Sequence, residues 1–180
     1  MKDQIIQIFG GCKNALCNCT AKESFEEHKA TTFYVYDEVG GKSQQPVRVV
    51  GKDQSFQLTV NNPLNKTIVL GKLDKCLLDD AVIKCDCLLY GKEQLYFVEI
   101  KSSSPGTKAN KRKKAVEQLK KTIQVFKNIG LPLDDYKIMA LICFKSNEPR
   151  IPQASRNTAS AFFLLEMGVR LEEGNSIDFI

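Results

Sequence analysis

Alternation between apolar and polar positions predicts strands along much of the chain. Four runs rich in β-branched and aromatic residues follow one another, separated by glycines and by an Asn-Asn-Pro turn. They span residues 32–36, 47–50, 56–60 and 67–70. Before them, an apolar opening and a cysteine cluster lead into an acidic run, which predicts a short helix over residues 21–30.

Three more apolar runs follow without a helical interruption. They lie at residues 75–78, 82–90 and 95–101, and the connections between them are short. Tight connections of this kind join antiparallel neighbours, so we predict an antiparallel meander.

A change of period marks the end of the meander. After a Ser/Pro/Gly loop, apolar residues from Ala115 to Phe126 recur three or four positions apart and Gly130 provides a stop, which predicts an amphipathic helix. The remaining chain predicts a strand buried on both faces, a second helix and a closing strand or hairpin, at residues 136–144, 155–167 and 169–180. The predicted fold class is α/β, with a mixed sheet built on the meander and covered by helices.

Composition supports one folded domain. Of the 180 residues, 43% are hydrophobic and 26% charged, which is typical of globular proteins and excludes disorder or coiled coil for the whole chain. No apolar stretch is long enough to span a membrane, and the amino terminus lacks a signal-peptide core. Seven cysteines, an odd number, fit reduced thiols. We therefore expect a single domain over residues 1–180 in the cytoplasm.

Positive charge is concentrated in one segment. Residues 101–128 hold nine Lys or Arg residues and one acid, a net charge of +8, which leaves −3 for the rest of the chain. Dense positive charge is what phosphate neutralisation needs, so the segment predicts an anionic polymer as partner. A solvated helix face is the alternative, because lysine-rich helices are common.

The candidate chemistry lies at the end of the third meander strand. Glu99 and Lys101 are two positions apart and therefore lie on one face of that strand. A hairpin that turns on Lys92 and Glu93 places Asp86, from the preceding strand, directly opposite Glu99. Two carboxylates this close repel each other unless a cation lies between them, so the pattern predicts a site for Mg²⁺ or Mn²⁺. Lys101 then orients a water or neutralises charge on a phosphate.

This pattern resembles the PD-(D/E)xK nuclease superfamily. Asp86 on one strand, Glu99-Ile100-Lys101 on the next and a following helix with Gln118 match its motif over roughly residues 66–145, and the match is similar to small bacterial members. Cys85 stands where the proline of the motif is expected. The resemblance implies a restriction-endonuclease-like core of helix, meander, helix and strand, to which residues 31–65 add strands.

The resemblance also implies roles for the residues. Asp86, Glu99 and the Ile100 carbonyl would bind the metal, Lys101 would position and activate the water, and Gln118 would contact the site or the nucleic-acid backbone. Superfamily members often add an acid from the preceding helix, and we choose Glu26 over its neighbours without a deciding observation. The predicted function is metal-dependent hydrolysis of phosphodiester bonds, with DNA favoured over RNA by resemblance alone. The phosphate-binding residues would be Lys108, Lys111, Arg112, Lys113 and Lys114.

Other interpretations stay open. Asp86 and Lys101 can instead be an ordinary cross-strand ion pair. The chain would then be a non-catalytic module that binds nucleic acid or protein, as a degenerate nuclease or as a zinc domain. Zinc ligands would come from the cysteines at positions 12, 17, 19, 85 and 87 together with His28, although the paired C-x2-C spacing of structural zinc sites is missing. A homodimer is also open.

Overall fold

Six strands form the central sheet of the computed structural model, which describes residues 1–9, 24–38, 45–78, 82–101, 107–144 and 153–180. Helices cover one face of this sheet, and a second, four-stranded sheet covers the other. The class is therefore α/β, as the sequence predicts. The helices are α1 (Lys2–Phe9), α2 (Lys108–Asn128) and α3 (Gln153–Met167). The strands are β1 (Phe25–His28), β2 (Thr32–Tyr36), β3 (Arg48–Val50), β4 (Leu58–Asn61), β5 (Ile68–Lys72), β6 (Cys87–Tyr90), β7 (Gln94–Lys101), β8 (Lys137–Phe144), β9 (Arg170–Glu173) and β10 (Ser176–Asp178).

The central sheet has the strand order β1-β5-β6-β7-β8-β9. From β1 to β7 the neighbours are antiparallel, whereas β8 and β9 run parallel to β7. The predicted hairpin register is confirmed: Tyr90 pairs with Leu95 and Cys87 with Val98. Asp86 and Glu99 come directly after the Cys87–Val98 pair, where the Asp86 backbone N–H donates to the Val98 carbonyl, so the two acids lie at the same end of the sheet.

The second sheet has the order β10-β4-β2-β3. Three of its strands are those predicted between residues 32 and 60, and β10 joins them in parallel with β4. The predicted closing segment at residues 169–180 does form strands, but β9 and β10 belong to different sheets, so the hairpin alternative is wrong. Gly174 and Asn175 make the crossing, and the Asn175 side chain fixes it by donating hydrogen bonds to the carbonyls of Gln57 and Phe144.

Each face of the central sheet contributes to its own apolar core. On β7, Leu95 and Phe97 face the helices, while Val98 and Ile100 face the second sheet. The apolar residues predicted along one side of α2 are buried against the face that contains Leu95 and Phe97. Glu99 and Lys101 continue the row of Leu95 and Phe97, since side chains two apart in a strand share a face.

Two predicted elements are wrong. Residues 25–28 form β1 and not a helix, because antiparallel pairing with β5 and burial of Phe25 outweigh the helix propensity of the acidic run. Residues 75–77 belong to a wide turn, Leu73–Leu77, and not to the meander. Within that turn Lys75 adopts a left-handed conformation with φ 57°, which a strand cannot accommodate. The first strand of the meander is β5.

No described helix combines the length and the apolar character that crossing a membrane requires.

Candidate functional site

Asp86 is fixed by hydrogen bonds from three directions. Its backbone N–H donates to the Val98 carbonyl over 3.1 Å, and its carbonyl accepts from the backbone N–H groups of Leu73 and Asp74. Its carboxylate accepts from the backbone N–H of Ile100, with 2.5 Å between Oδ2 and nitrogen. Only 6% of Asp86 is exposed. These bonds hold the side chain in one rotamer. The carboxylate is therefore preorganised and does not need to reorient when a ligand binds.

Glu99 and Lys101 form an ion pair beside Asp86. Glu99 is completely buried, and the Lys101 ammonium contacts its Oε1. Neither carboxylate oxygen of Glu99 has a hydrogen bond of ordinary geometry with any residue that the structure describes. Buried polar oxygens rarely lack such partners, so this carboxylate has acceptor capacity to offer a ligand.

Asp86, Glu99 and Lys101 form one cluster, and the pKa values of its two acids are raised. Burial raises the pKa of Glu99 from 4.5 to about 8, although the charge of Lys101 opposes this. Burial and the nearby charge of Glu99 raise the pKa of Asp86 well above its usual value. Burial alone would lower the pKa of Lys101, but the charges of Glu99 and Asp86 outweigh it and raise the pKa. Lys101 therefore stays protonated at neutral pH.

Two further acids act on the same cluster, and the sequence analysis missed both. Burial raises the pKa of Asp37 to about 6, and the charge of Asp74 adds to this effect. The Gln57 side chain holds Asp37 in place by bonding both its backbone N–H and its carbonyl. No sequence signal marks Asp37, since it reaches the cluster from the second sheet. Asp74 precedes the predicted strand 75–78. In the structure it belongs to the turn Leu73–Leu77, which forms in place of that strand and brings Asp74 to the cluster.

Gln118 supports the site through the backbone. Its amide donates to the Lys84 carbonyl over 2.8 Å, and the Thr122 hydroxyl accepts from the Cys85 backbone N–H over 2.8 Å. Both side chains project from α2 and hold the two residues that precede Asp86. The role of Gln118 is therefore to position the chain, and Thr122 is a second such residue that the sequence analysis missed.

Ile100 and Glu26 lie in different surroundings. Ile100 is buried in β7, and its N–H is the donor to Asp86. Glu26 lies in β1, where its carboxylate pairs with Lys72 over 2.5 Å and with His28 over 3.2 Å. The pKa of Glu26 is lowered, because the bonds to His28 and Lys72 outweigh the effect of burial. The charges of Asp37 and Asp74 act on the pKa values of the cluster. The charge of Glu26 is not among the main causes of the pKa shifts of Asp86, Glu99 or Lys101.

The cations of α2 do not form a single exposed face. Lys108 lies over the Phe144 ring, with 4.6 Å from the ammonium to the ring centroid, and Lys111 is half-buried. Arg112 is buried and pairs with Glu173 of β9, which indicates a structural role, and its predicted phosphate contact stays a prediction. Lys113 and Lys114 are exposed.

Arg112 offers a direct test of that structural role. We expect Arg112→Met to lower the free energy of unfolding by about 3 kcal/mol, because it leaves the buried charge of Glu173 without a partner. Lys120→Met is the matched control, since Lys120 pairs with Glu166 at the surface and its loss should cost less than about 1 kcal/mol. Urea denaturation measures both. Equal losses would show that the Arg112 pair contributes no more than a surface pair.

The carboxylates fit a hard divalent cation in type but not as a complete cage. Among the described residues, no three or more His, Cys, Asp or Glu side chains are arranged to hold a metal ion. Mg²⁺ is commonly bound through only one or two protein carboxylates, with water and substrate phosphate as its other ligands. Asp86 and Glu99 are two such carboxylates.

The zinc alternative involves residues that lie partly outside the described chain. Cys12, Cys17 and Cys19 fall in the segment 10–23, of which the structure says nothing. His28 stacks on Phe33 and bonds Glu26. Cys85 and Cys87 are buried thiols whose pKa values burial raises, which disfavours the thiolate that zinc requires.

Comparison of the chain with protein-family models, with curated proteins and with solved structures finds no match. The resemblance to the PD-(D/E)xK superfamily therefore rests on the sequence motif alone.

Proposed function

We propose that the protein is a metal-dependent phosphodiesterase of the PD-(D/E)xK type that acts on nucleic acid, with DNA as the first substrate to test. The observation that carries the proposal is the buried Glu99 carboxylate at a sheet end beside Asp86: the Lys101 ammonium contacts its Oε1, while its Oε2 has no hydrogen-bond partner among the described residues. A buried acid with an unbonded oxygen raises the energy of the folded state, and a divalent cation at that oxygen would offset this cost.

The arrangement of elements is consistent with this proposal. The strands β5, β6 and β7 form an antiparallel meander, α2 follows, and β8 returns parallel to β7. This is the order of elements that a restriction-endonuclease-like core has after its first helix.

Each residue then has a defined task in hydrolysis. Asp86 and Glu99 would hold Mg²⁺ or Mn²⁺ together with the Ile100 carbonyl, and the metal would supply positive charge at the phosphate and a more acidic water. Lys101 is protonated, so it donates a hydrogen bond to the attacking water or to a phosphate oxygen and does not act as a base. The attacking water loses a proton to bulk water as its oxygen bonds to phosphorus, the bond from phosphorus to the leaving oxygen breaks, and that oxygen takes up a proton from bulk water.

A non-catalytic nucleic-acid-binding module is the second candidate. The ion pair between Lys101 and Glu99 favours it, because a lysine that neutralises the buried acid takes the place that a metal ion would occupy. The exposed Lys113 and Lys114 serve this candidate equally well.

Cleavage separates the two candidates. Supercoiled plasmid and single-stranded DNA are incubated with the protein in Mg²⁺, in Mn²⁺ and in EDTA, and the products are resolved by electrophoresis. The nuclease produces nicks or fragments with either metal and none in EDTA. Binding without cleavage under every condition would favour the binding module.

The exposed lysines of α2 should carry affinity for nucleic acid. In the double variant Lys113→Ala/Lys114→Ala we expect the slope of log affinity against log salt for duplex DNA to fall by up to about 1.8, since each lost phosphate contact removes about 0.9. Fluorescence anisotropy at several salt concentrations measures the slope.

The matched control removes two exposed lysines at the opposite end of β7. Lys92 lies in the β6–β7 turn, and Lys137 pairs with Gln94 at the start of β7. Lys92→Ala/Lys137→Ala makes the same change in net charge and should leave the slope near the wild-type value. If both double variants change the slope equally, the α2 lysines act only through net charge.

A further inference from the structure

A cavity of about 540 Å³ lies next to the candidate site. Asp74 connects the two, because it lines the cavity, its backbone N–H donates to the Asp86 carbonyl and its charge raises the pKa of Glu99. Gln118 and Lys84 also line it, joined by the hydrogen bond that holds the chain before Asp86. The cavity is therefore joined to the acids by hydrogen bonds of the chain on either side of it.

The walls of the cavity combine apolar surface with charged groups, of which the lysines outnumber the acids. Val82 and Ile83 lie on one side and are 37% and 48% exposed, which is unusual for large apolar residues beside a charged cluster. Three lysines, Lys75, Lys84 and Lys114, line the cavity together with two acids, Asp74 and Glu117, and Lys84 pairs with Asp74 over 3.3 Å. Aliphatic walls suit the face of a nucleobase, and ammonium groups suit the phosphates on either side of it.

From this juxtaposition we infer that the cavity binds one unpaired nucleotide of a single-stranded or locally opened nucleic acid, next to the phosphate that Asp86 and Glu99 face. This inference rests on the proposed function and names its substrate class. The volume falls in the range of about 300–1,000 Å³ that is usual for pockets of small ligands, so it accommodates a monomer and not a double helix.

Base pairing decides which strand enters the cavity. In a duplex the bases are stacked inside, so only phosphates and groove edges reach the protein surface. Turning a base out of the stack costs a few kcal/mol, whereas an unpaired base is already accessible. The protein should therefore bind a single strand more tightly than a duplex of equal length.

The experiment measures binding in EDTA, so that cleavage does not contribute. The probes are fluorescent oligothymidylate, the oligouridylate of equal length and a DNA duplex of that length. We expect Ile83→Asp to weaken single-strand binding about tenfold, since the loss of about 1.4 kcal/mol of apolar contact corresponds to that factor. Duplex binding uses the exposed lysines of α2 but places no base against Ile83, so it should stay at the wild-type level.

A control variant makes the same substitution elsewhere. Leu64 is 62% exposed and does not line the cavity, so Leu64→Asp should leave single-strand binding unchanged. Lys114→Ala should lower the salt slope for the single strand by about 0.7, and Lys92→Ala should not. If the DNA and RNA strands bind equally, the protein recognises the base and the phosphate but not the sugar.

The outcomes separate this inference from the nuclease assignment. If wild type prefers the single strand and Ile83→Asp removes the preference, the inference holds even if no metal supports cleavage. If wild type cleaves DNA but binds both forms equally, or if Ile83→Asp and Leu64→Asp behave alike, the inference is wrong and the nuclease assignment stands.

Discussion

Replacing Lys101 with alanine is expected to slow magnesium-dependent cleavage of DNA by about 100- to 1,000-fold, the usual contribution of one preorganised electrostatic group. Lys101 is protonated and lies against Glu99, so it is placed to stabilise negative charge on a phosphate. Glu99→Ala should abolish cleavage as well, because it removes one of the two buried carboxylates. A plasmid-nicking assay with Mg²⁺ measures both losses.

The control for these variants is Glu27→Gln, which changes an exposed acid of β1 that pairs with Lys2. It should cleave at the wild-type rate. We expect both variants to fold, since Glu99 and Lys101 lie near the end of their strand whereas Val98 and Ile100 contribute to the core. Circular dichroism tests this. Wild-type cleavage by Glu99→Ala, or unfolding of that variant, would identify the pair as structural and favour the binding module.

Raising the pH from 4.5 to 8 is expected to destabilise the metal-free protein through Glu99. The folded state holds the Glu99 proton up to about pH 8, whereas the unfolded chain releases it near pH 4.5. The stabilising effect is complete below pH 4.5 and is lost as pH rises towards 8. Because one pKa unit corresponds to about 1.4 kcal/mol, the loss is on the order of 5 kcal/mol. Urea denaturation in EDTA across this range measures it.

The variant Glu99→Gln removes this titration and should be more stable than wild type at pH 8 without metal. The raised pKa values of Asp86 and Asp37 act in the same direction, so some pH dependence remains. Mg²⁺ should raise the unfolding midpoint of wild type more at pH 8 than at pH 6, because ionised carboxylates bind it. If Mg²⁺ stabilises Glu99→Gln as much as wild type, Glu99 does not bind the metal.

The position of Glu99 illustrates how a stability cost indicates function. A glutamine of similar size would avoid the charge, and an apolar residue would extend the row of Leu95 and Phe97 into the core. The chain instead buries an acid at the end of its longest described meander strand. Such a residue is retained when its charge has a use that outweighs its cost in stability.

The sequence alone determined the strands β2, β7 and β8, the helices α2 and α3 and the register of the β6–β7 hairpin. Local patterns decide these features, because period, turn length and strand pairing are all contained in neighbouring residues. The candidate acids Asp86 and Glu99 followed from the same register, since a two-residue turn places both of them next to the Cys87–Val98 pair.

Only the tertiary structure decided what lies around those acids. Asp37 arrives from a separate sheet, Asp74 from a turn that local propensity reads as a strand, and β10 leaves β9 to join β4. Arg112, one of four consecutive cations, is buried because Glu173 lies opposite it across more than sixty residues of chain. Contacts between distant segments depend on how the layers pack, and that packing free energy overrides local preference without leaving a trace in the sequence pattern.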